Sequence, residues 1–414
     1  MAGLTAARAL AEAGRSVVLL EAASRVGGRI HTIREGDEII ELGAEFIHGK
    51  PSELWSLIED AGLETCELGG SILSFEDGRL QSRDEEQRAI PVLDKLESLT
   101  GPDETFADYL AQHPISEDQR RTVIGYVEGF NAADHRVIST LALGMQQAAE
   151  ESIEGDRLFR IKDGYDLLPR FLAQKFTEAG GTLHLNTLVE RIDWSRHHVR
   201  IEAQCDGKPA TFEAVKAVIT LPLGVLQQKS VIFTPTPDAL HEANRLRMGQ
   251  VRRFTLVFRE PFWKQLQPAS INELSFLFSF DSMPPVWWTP HPMSGNTLTG
   301  WVGGPRSAAL ANLTAEQLAE SACETLGQIF ALEPADIREQ LITCHTHEWQ
   351  RDALSFGAYS YIAAGAIDAC SRMTVPESGT LYFAGEHTDT TGHWGTVHAA
   401  IRSGLRAAYQ VLNL

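Results

Sequence analysis

The spacing of apolar residues at the start of the chain predicts a helix followed by a short buried strand. From Met1 to Gly14 the apolar residues recur at helical spacing, and Gly14 provides the turn that ends the helix. The next run, S-V-V-L-L-E, is rich in Val and Leu and closes with an acid, Glu21, as a buried strand does. The apolar residues on one face of the predicted helix are Leu4, Ala7, Leu10 and Ala11.

This helix and strand are the second half of a strand–helix–strand unit of the kind that binds a dinucleotide. In such a unit the helix N-terminus holds a pyrophosphate, and an acid about twenty residues further on binds a ribose hydroxyl. Gly3 fits the last glycine of G-x-G-x-x-G, and Glu21 fits the acid. The first strand and the first two glycines are not in the sequence, so we expect a parallel sheet without its first strand. Two explanations stay open: the native protein begins a strand earlier, or the strand has been deleted.

Farther along, helical and strand patterns alternate in blocks. The runs of β-branched residues between Thr182 and Pro222 predict strands, and the Trp-rich stretch from Phe233 to Tyr361 predicts a mainly antiparallel sheet. The polar stretch from Asp77 to Arg88 predicts a surface loop. The segments with helical spacing are 51–61, 90–151, 167–179, 314–331 and 396–412.

Composition narrows the classes of partner. A net charge of −19 argues against nucleic acid, which needs a basic face, and against an anionic membrane surface, while it suits a cationic substrate. No apolar run approaches the length of a membrane span, so we expect no membrane partner. The five cysteines are odd in number and widely spaced, which indicates reduced thiols in a cytoplasmic protein rather than disulfides or a zinc site.

Two motifs at opposite ends of the chain carry a family resemblance. Near the start stand E-A-A-S-R-V-G-G-R-I-H-T and E-L-G-A-E-F-I-H-G; near the end stand L-Y-F-A-G-E-H-T and H-W-G-T-V-H-A-A-I-R-S-G-L-R-A-A. In this order they resemble the flavin-containing amine oxidase family, which comprises monoamine and polyamine oxidases, with L-amino-acid oxidases as relatives. The resemblance covers nearly the whole chain.

The resemblance implies an α/β, two-domain FAD-dependent amine oxidase fold. A Rossmann-like FAD domain would be formed by residues 1–75, 162–232 and 365–414. A substrate domain, a mainly antiparallel sheet flanked by helices, would be formed by residues 76–161 and 233–364. The implied reaction is oxidation of a polyamine or monoamine to an imine and aldehyde, with O2 reduced to H2O2. A homodimer is compatible with the sequence.

The resemblance also assigns cofactor-binding residues. Two-glycine turns let the backbone approach a ligand closely, and the arginines beside them can reach phosphate or carboxylate oxygens. Ala358 stands where covalent flavoenzymes of the family have a cysteine, so the FAD should be noncovalent, and no metal is expected. The residues assigned to FAD are Gly3, Glu21, Arg25, Gly27, Gly28, Arg29, Gly43, Ala44, Val189, Gly385, Glu386, Thr396 and Val397.

The residues assigned to the chemistry are fewer. By resemblance, Tyr359 is one wall of an aromatic cage before the flavin, and Trp394 is the second aromatic, because Thr396 replaces the second cage tyrosine of monoamine oxidases. An aromatic face attracts a cationic amine. His48 matches the histidine of animal polyamine oxidases and could bind substrate or transfer a proton near neutral pH. Its alternative is a structural hydrogen bond.

Two charged residues depart from the family or leave their role open. Arg253 falls where the family has a lysine that holds a water near the flavin; arginine cannot act as a base, but it can hold a water or a substrate carboxylate. Glu128 sits where polyamine oxidases place an acid near the substrate channel, although a surface helix glutamate is the simpler interpretation. Two alternatives therefore stay beside amine oxidation: an L-amino-acid oxidase, and a flavin-binding protein with little turnover.

Overall fold

Helices and short strands alternate along the chain in the computed structural model, which describes residues 1–83, 91–267 and 269–413. The helices predicted from apolar spacing are present with ends shifted by a residue or two, except in the segment 90–151, where the described residues form four separate α-helices. Thr314 begins one of them with a capping box, in which its side chain accepts from the amide of Gln317. The α-helices are Ala2–Glu12, Ser52–Asp60, Pro91–Asp94, Phe106–Gln112, Glu117–Asn131, Thr140–Glu151, Leu167–Glu178, Leu223–Gln227, Asp238–Ala243, Ala315–Phe330, Pro334–Gln340, Ala369–Met373 and Val397–Asn413.

The largest sheet has seven strands and is mainly antiparallel, as predicted. Its core is packed by large aromatic side chains, and Ala315–Phe330 covers one face. The one parallel pair joins Leu274–Phe278 to Ser71–Glu76. In spatial order the strands are Leu341–Thr346, Val251–Phe258, Thr297–Gly303, Val286–Trp288, Leu274–Phe278, Ser71–Glu76 and Arg79–Ser82.

The edge of this sheet corrects the predicted surface loop. Arg79–Ser82 pairs with Ser71–Glu76 as a hairpin, with Gly78 in its turn, so the loop prediction is wrong for residues 79–82. The alternation of polar side chains on a half-exposed edge strand hid the pairing. The rest of the predicted loop, residues 84–88, lies outside the described residues.

Smaller sheets make up the other half of the molecule, and several of them join segments distant in sequence. Val18–Leu20 pairs in parallel with Thr182–His184, and Ala217–Ile219 pairs in parallel with Leu381–Phe383. A four-stranded sheet has the order Lys208–Ala214, His198–Cys205, Thr187–Ser195 and Ile232–Thr234. The remaining pairings join Thr32–Glu35 to Glu38–Glu41, Arg247–Met248 to Ser360–Tyr361, and Leu158–Ile161 to both Ile47–His48 and Thr65–Glu67.

Three of the predicted domain boundaries fall at or beside strands whose pairings cross them, and the division into domains stays a prediction. The boundary after residue 75 cuts Ser71–Glu76, which lies wholly within the seven-stranded sheet. The boundary after residue 232 cuts Ile232–Thr234, which belongs to the four-stranded sheet. The boundary after residue 161 separates Leu158–Ile161 from the strands that it pairs with. Hydrogen-bonded pairing, which a one-dimensional pattern does not contain, decides where these strands belong.

Residues 16–20 and 215–219, which include two strands, line one part of a cavity, and we call this part the strand gap. Side chains from both sides, Leu19 and Val218, pack against the N-terminal helix Ala2–Glu12. Yet Val18–Leu20 and Ala217–Ile219 belong to separate two-stranded sheets. That a strand is missing between them stays a prediction from the sequence.

Within the described part of the chain, no helix has both the length and the apolar character needed to cross a membrane.

Candidate cofactor and substrate site

One cavity of about 1920 Å³ connects the two halves of the molecule. It runs from the strand gap, past the start of the N-terminal helix and the two-glycine turn, to a region lined by aromatic rings. Every residue that the sequence assigned to FAD or to the chemistry lines this cavity, including residues as far apart in sequence as Gly3 and Val397. The structure therefore brings together the groups that the end motifs predicted to be neighbours.

The two-glycine turn is held open by its own arginine. Gly27 and Gly28 have φ values of +106° and +58°, which side-chain-bearing residues rarely adopt. Arg25 donates to the carbonyl oxygens of Gly28 and Ile30, both at 2.9 Å. The guanidinium thus braces the turn as well as lining the cavity, and the backbone of the turn is presented to a ligand.

Gly43 is a further position in the cavity wall where the backbone of another segment lies very close. A Cβ atom at Gly43 would lie 1.9 Å from the carbonyl oxygen of Arg29, so no other residue fits there. Ala44 donates its amide to the same oxygen at 3.1 Å. The segment that follows the turn therefore lies directly beside the segment that carries Gly43 and Ala44.

Glu386 joins the two ends of the chain. Its Oε1 accepts from Arg29 at 2.8 Å, and its Oε2 accepts from the hydroxyl of Ser360 and from the amide of Gly395 at 3.0 Å. Burial would raise the pKa of Glu386, but the charge of Arg29 and these hydrogen bonds outweigh it and hold the pKa below its ordinary value. Glu386 is therefore an ionised, fully partnered cross-link in the cavity wall.

The last helix begins at the cavity. Thr396 is its N-cap: the hydroxyl accepts from the amide of Ala399 at 3.1 Å and donates to the carbonyl of His393 at 2.7 Å. The helix proper starts at Val397, one residue later than the pattern predicted. Its N-terminus places partial positive charge at the cavity, where an electron-rich group would be stabilised.

Aromatic rings enclose the far end of the cavity in what we call the aromatic chamber, formed by Phe46, His48, Phe130, Trp288, Trp301 and Tyr359. Trp288 lies 5.8 Å from Trp301 and 5.4 Å from Phe46 between ring centroids, and the ring of His48 meets Phe130 at 5.4 Å. These spacings are those of favourable aromatic pairs. Of these residues the sequence singled out Tyr359 and His48; Phe46, Phe130, Trp288 and Trp301 were missed.

Tyr359 is fixed within the chamber wall. Its hydroxyl donates to the carbonyl of Phe130 at 2.7 Å, and its ring lies against Gly395, where a Cβ atom would approach the ring to 2.9 Å. Burial, with a smaller effect of Glu386, raises the pKa of Tyr359 well above its ordinary value. Tyr359 is thus a neutral phenol with its ring free to face a ligand, and not a proton donor at neutral pH.

Trp394 lines the cavity but is anchored differently. Its indole N–H donates to the carbonyl of Asp389 at 2.7 Å, and its ring belongs to the buried cluster that includes Ile362 and Ala142. Over the described ranges, no ring contact joins Trp394 to Tyr359. The second cage aromatic stays a prediction, and Phe130 and Trp301 are alternatives that the sequence did not offer.

A buried ion cluster lies behind Trp288. Glu45 accepts from Arg160 at 2.7 Å, from the indole of Trp288 at 3.0 Å, and from Arg253. Arg253 also donates to the carbonyl of Gly43 at 2.7 Å and lies 5.3 Å above the Trp288 ring. Burial would raise the pKa of Glu45, but Arg160 and Arg253 hold it below its ordinary value. The charge of Arg253 is therefore already paired, which weakens its assignment to a substrate carboxylate.

Two further assignments are corrected. Burial lowers the pKa of His48 to about 4, so His48 is neutral near pH 7 and is not poised to exchange a proton there. Glu128 is buried and bonded to His135 at 2.7 Å, and it does not line the cavity. It is neither a channel acid nor a surface glutamate.

Comparisons with known proteins agree with this geometry. A family model described as flavin containing amine oxidoreductase matches residues 1–91 and 70–412. Polyamine oxidase 3 of Oryza sativa subsp. japonica is 28% identical over 446 residues, covering 98% of this chain and 86% of that protein. Amine oxidase [flavin-containing] B of Homo sapiens is 24% identical, covering 100% and 84%.

Solved structures share the fold. A putrescine oxidase bound to putrescine superimposes with a TM-score of 0.83 at 21% identity, covering 100% of this chain and 97% of that one. Cyclohexylamine oxidase from Brevibacterium oxydans gives a TM-score of 0.82 at 21% identity, covering 99% and 96%.

Proposed function

Because this chain belongs to the flavin-containing amine oxidoreductase family, we propose that it oxidises a C–N bond of a polyamine or monoamine, with FAD as cofactor and O2 as electron acceptor. The products would be H2O2 and an imine, which hydrolyses to an aldehyde and either ammonia, from a primary amine, or a smaller amine, from a secondary amine. The observation that carries the proposal is the single cavity that joins a dinucleotide-binding turn to the aromatic chamber. Relatives that act on polyamines support the same substrate class.

The residues lining the cavity fit FAD. The turn at Gly27 and Gly28 offers backbone to a pyrophosphate, and Glu21 offers a carboxylate to a ribose. The N-terminus of Val397–Asn413 offers positive potential to the flavin ring system. When bound, FAD supplies the two-electron acceptor for the amine. Alanine at position 358 has no thiol, so we infer that the cofactor is held without a covalent bond.

The aromatic chamber would bind and orient the amine. Its rings exclude water and attract the cationic form of the amine on approach. Oxidation requires the amine to lose its proton, and an apolar enclosure favours the neutral form once it is inside. His48, neutral near pH 7, can hydrogen-bond the amine nitrogen, and the ring of Tyr359 fixes the direction in which the α-carbon points.

Oxidation of an L-amino acid would require an unpaired cation for the substrate carboxylate. Arg253, the candidate from the sequence, is bonded to Glu45 and to the carbonyl of Gly43. Displacing Glu45 would leave that carboxylate buried with one partner fewer, which is costly. The contacts therefore favour a substrate without a carboxylate.

A peroxide assay on the purified protein tests the choice of substrate. Putrescine, spermidine, tyramine and a set of L-amino acids are each supplied in air, and H2O2 is measured with a coupled dye. We expect peroxide with at least one of the three amines. Peroxide confined to L-amino acids would replace the proposal by an amino-acid oxidase, and none with any donor would favour a flavin-binding protein with little turnover.

Location and assembly are proposals of their own. All five cysteines are free, which suits a reducing compartment, so we propose a cytoplasmic protein. A homodimer is proposed from the sequence alone and is tested by light scattering on the purified protein.

A further inference from the structure

Residues 389–396 connect the turn that carries Glu386 to the last helix, and we call them the cavity loop. Their backbone is irregular, yet Trp394, Gly395 and Thr396 line the cavity. Gly395 donates its amide to Glu386 at 3.0 Å, and Thr396 caps the last helix. The conformation of the cavity loop therefore decides where this part of the cavity wall lies.

Asp389 organises the cavity loop from within. Its Oδ1 accepts from the amide of Thr391 at 2.8 Å, from the hydroxyl of Thr391 at 2.7 Å and from the amide of His393 at 3.2 Å. Its backbone carbonyl accepts from the indole of Trp394 at 2.7 Å. Asp389 is 3% exposed, so one buried acid fixes both the backbone of the loop and the ring that it carries.

Arg402 reaches the same loop from the last helix. Its Nη1 donates to Oδ2 of Asp389 at 3.3 Å, to Nδ1 of His393 at 3.1 Å and to the hydroxyl of Thr391. Its Nη2 donates to Oε1 of Glu53 at 2.5 Å. One guanidinium thus holds three side chains of the cavity loop and is itself held by an acid from another helix.

His393 carries this contact across to a third helix. Because an arginine can only donate, Nδ1 of His393 accepts from Arg402, and its Nε2 donates to the carbonyl of Ala149 at 3.1 Å. Burial and the charge of Arg402 lower the pKa of His393, which keeps the ring neutral near pH 7. A Cβ atom at Gly392 would approach the carbonyl of Met145, on the same helix as Ala149, to 2.7 Å.

Neither Arg402 nor Asp389 lines the cavity, so both act through the residues that do. The side chain of Asp389 is 1% exposed and that of Arg402 is 28% exposed. Removing Arg402 would leave a buried carboxylate without its counter-charge, and the cavity loop would have to shift to bring that carboxylate to water. Such a shift moves Trp394 and Gly395, because both are bonded within or beside this loop.

We propose that Arg402 is a positioning residue, which through Asp389 holds Trp394 and Gly395 in the arrangement that binds FAD and the amine. The proposal rests on the proposed amine oxidation and adds a residue outside the cavity that controls binding within it. The chain of contacts runs from Arg402 to Asp389, from Asp389 to Trp394, and from Trp394 into the cavity wall.

The experiment compares the FAD-loaded wild type with Arg402→Gln, Arg402→Lys and a matched control, Arg34→Gln. Arg34 is a partly exposed arginine whose partner, Asp166, is largely buried, and neither residue lines the cavity. Four quantities are measured: hydrogen exchange of the amides, the visible circular dichroism of the bound flavin, the thermal midpoint, and kcat and KM for the amine that the wild type oxidises fastest.

In Arg402→Gln we expect exchange of the amides of Thr391, His393 and Gly395 to quicken by about 10-fold or more. That is the lower end of the effect of losing hydrogen bonds between charged groups. The visible circular dichroism of the flavin should change, and KM should rise more than kcat falls. Arg402→Lys, which keeps the charge, should restore part of each. Arg34→Gln should change only the thermal midpoint.

Unchanged exchange in the cavity loop together with an unchanged KM in Arg402→Gln would overturn the positioning role. Equal changes in Arg34→Gln would overturn it as well, because they would reflect lost stability alone. Should Arg402→Gln fail to fold, Thr391→Val removes the hydroxyl between Arg402 and Asp389, and unchanged exchange of the Gly395 amide in that variant would overturn the role instead. A wild type that oxidises no amine overturns the proposed function, while exchange and circular dichroism still decide the role of Arg402.

Discussion

The two ends of the cavity are built in different ways. Behind the aromatic chamber the carboxylate of Glu45 is closely partnered: it accepts from two arginines and from the indole of Trp288. At the strand gap, Val18–Leu20 pairs with Thr182–His184 and Ala217–Ile219 pairs with Leu381–Phe383, in two separate sheets. The chamber is lined by aromatic side chains that contact one another, whereas the gap is lined by strands of two separate sheets.

The comparison indicates which part of the site is already formed before a ligand binds. The chamber should keep its shape without a ligand, because its rings contact one another and the buried ion cluster behind it holds the indole of Trp288. The dinucleotide half should depend on bound cofactor for its order, because few contacts tie its two parallel pairs together. Four experiments test this difference between the aromatic chamber and the strand gap.

The largest effect is expected from the buried ion cluster behind the aromatic chamber. Glu45→Gln leaves Arg160 and Arg253, each with a side chain 5% exposed, without a buried counter-charge. We expect the free energy of unfolding to fall by about 3–5 kcal/mol. Denaturant titration measures it. The control is Glu67→Gln, which breaks the solvent-exposed pair with Arg157 and should cost less than about 1 kcal/mol. Equal losses would mean that the chamber is not held by this cluster.

The next effect belongs to the strand gap. FAD at about 100 times its Kd should stabilise the protein by about 2.7 kcal/mol. Hydrogen exchange of the amides in Val18–Leu20 and Ala217–Ile219 should slow when FAD is added. The strand His198–Cys205, paired on both sides, is the internal control and should change little. If FAD slowed hydrogen exchange equally in the chamber and at the strand gap, the expected difference between the two regions would be contradicted.

A third effect depends on pH. Burial lowers the pKa of His48 in the chamber to about 4, below the value of about 6.5 in an unfolded chain. The unfolded state therefore binds the proton first, and stability should fall as the pH drops from about 6.5 towards 4. One such group contributes at most about 1.4 kcal/mol per pH unit. His48→Gln should flatten this dependence of stability on pH. His241→Gln, at an exposed position, should leave it unchanged.

The smallest effect comes from one hydroxyl. Tyr359→Phe keeps the ring but removes the donor to the carbonyl of Phe130. We expect a loss of about 1 kcal/mol in unfolding free energy and nearly unchanged amine oxidation. Denaturation and the peroxide assay measure the two results. A large loss of activity would mean that the hydroxyl, and not the ring, acts on the substrate.

Local motifs in the sequence located turns and caps whose residues line one cavity. Gly27, Gly28 and Thr396 are placed by turns and caps whose residues are neighbours in sequence, and all three line the cavity. The resemblance of the end motifs assigned Arg29 and Glu386 to the same cofactor, but the hydrogen bond between them was not predicted. Turns and helix caps depend on residues that are neighbours in sequence, so a short stretch of sequence is enough to predict them.

The substrate side could not be read in the same way. Glu45, Trp288 and Phe130 meet through pairings between distant strands and helices, which no local pattern contains. The same reason explains the acids: Glu128 matched a family position yet is bonded to His135, while Glu150 had no motif and faces the cavity. The packing of the helices and strands decides which carboxylate has no hydrogen-bond partner.

The most direct test of amine oxidation is a flavin spectrum recorded under nitrogen. The purified yellow protein is mixed with putrescine, spermidine or tyramine, and the absorption band of the oxidised flavin is followed. The account predicts that at least one of these amines bleaches the band and that air restores it. A protein that carries FAD, keeps its chamber intact, and is bleached by none of them would contradict the account.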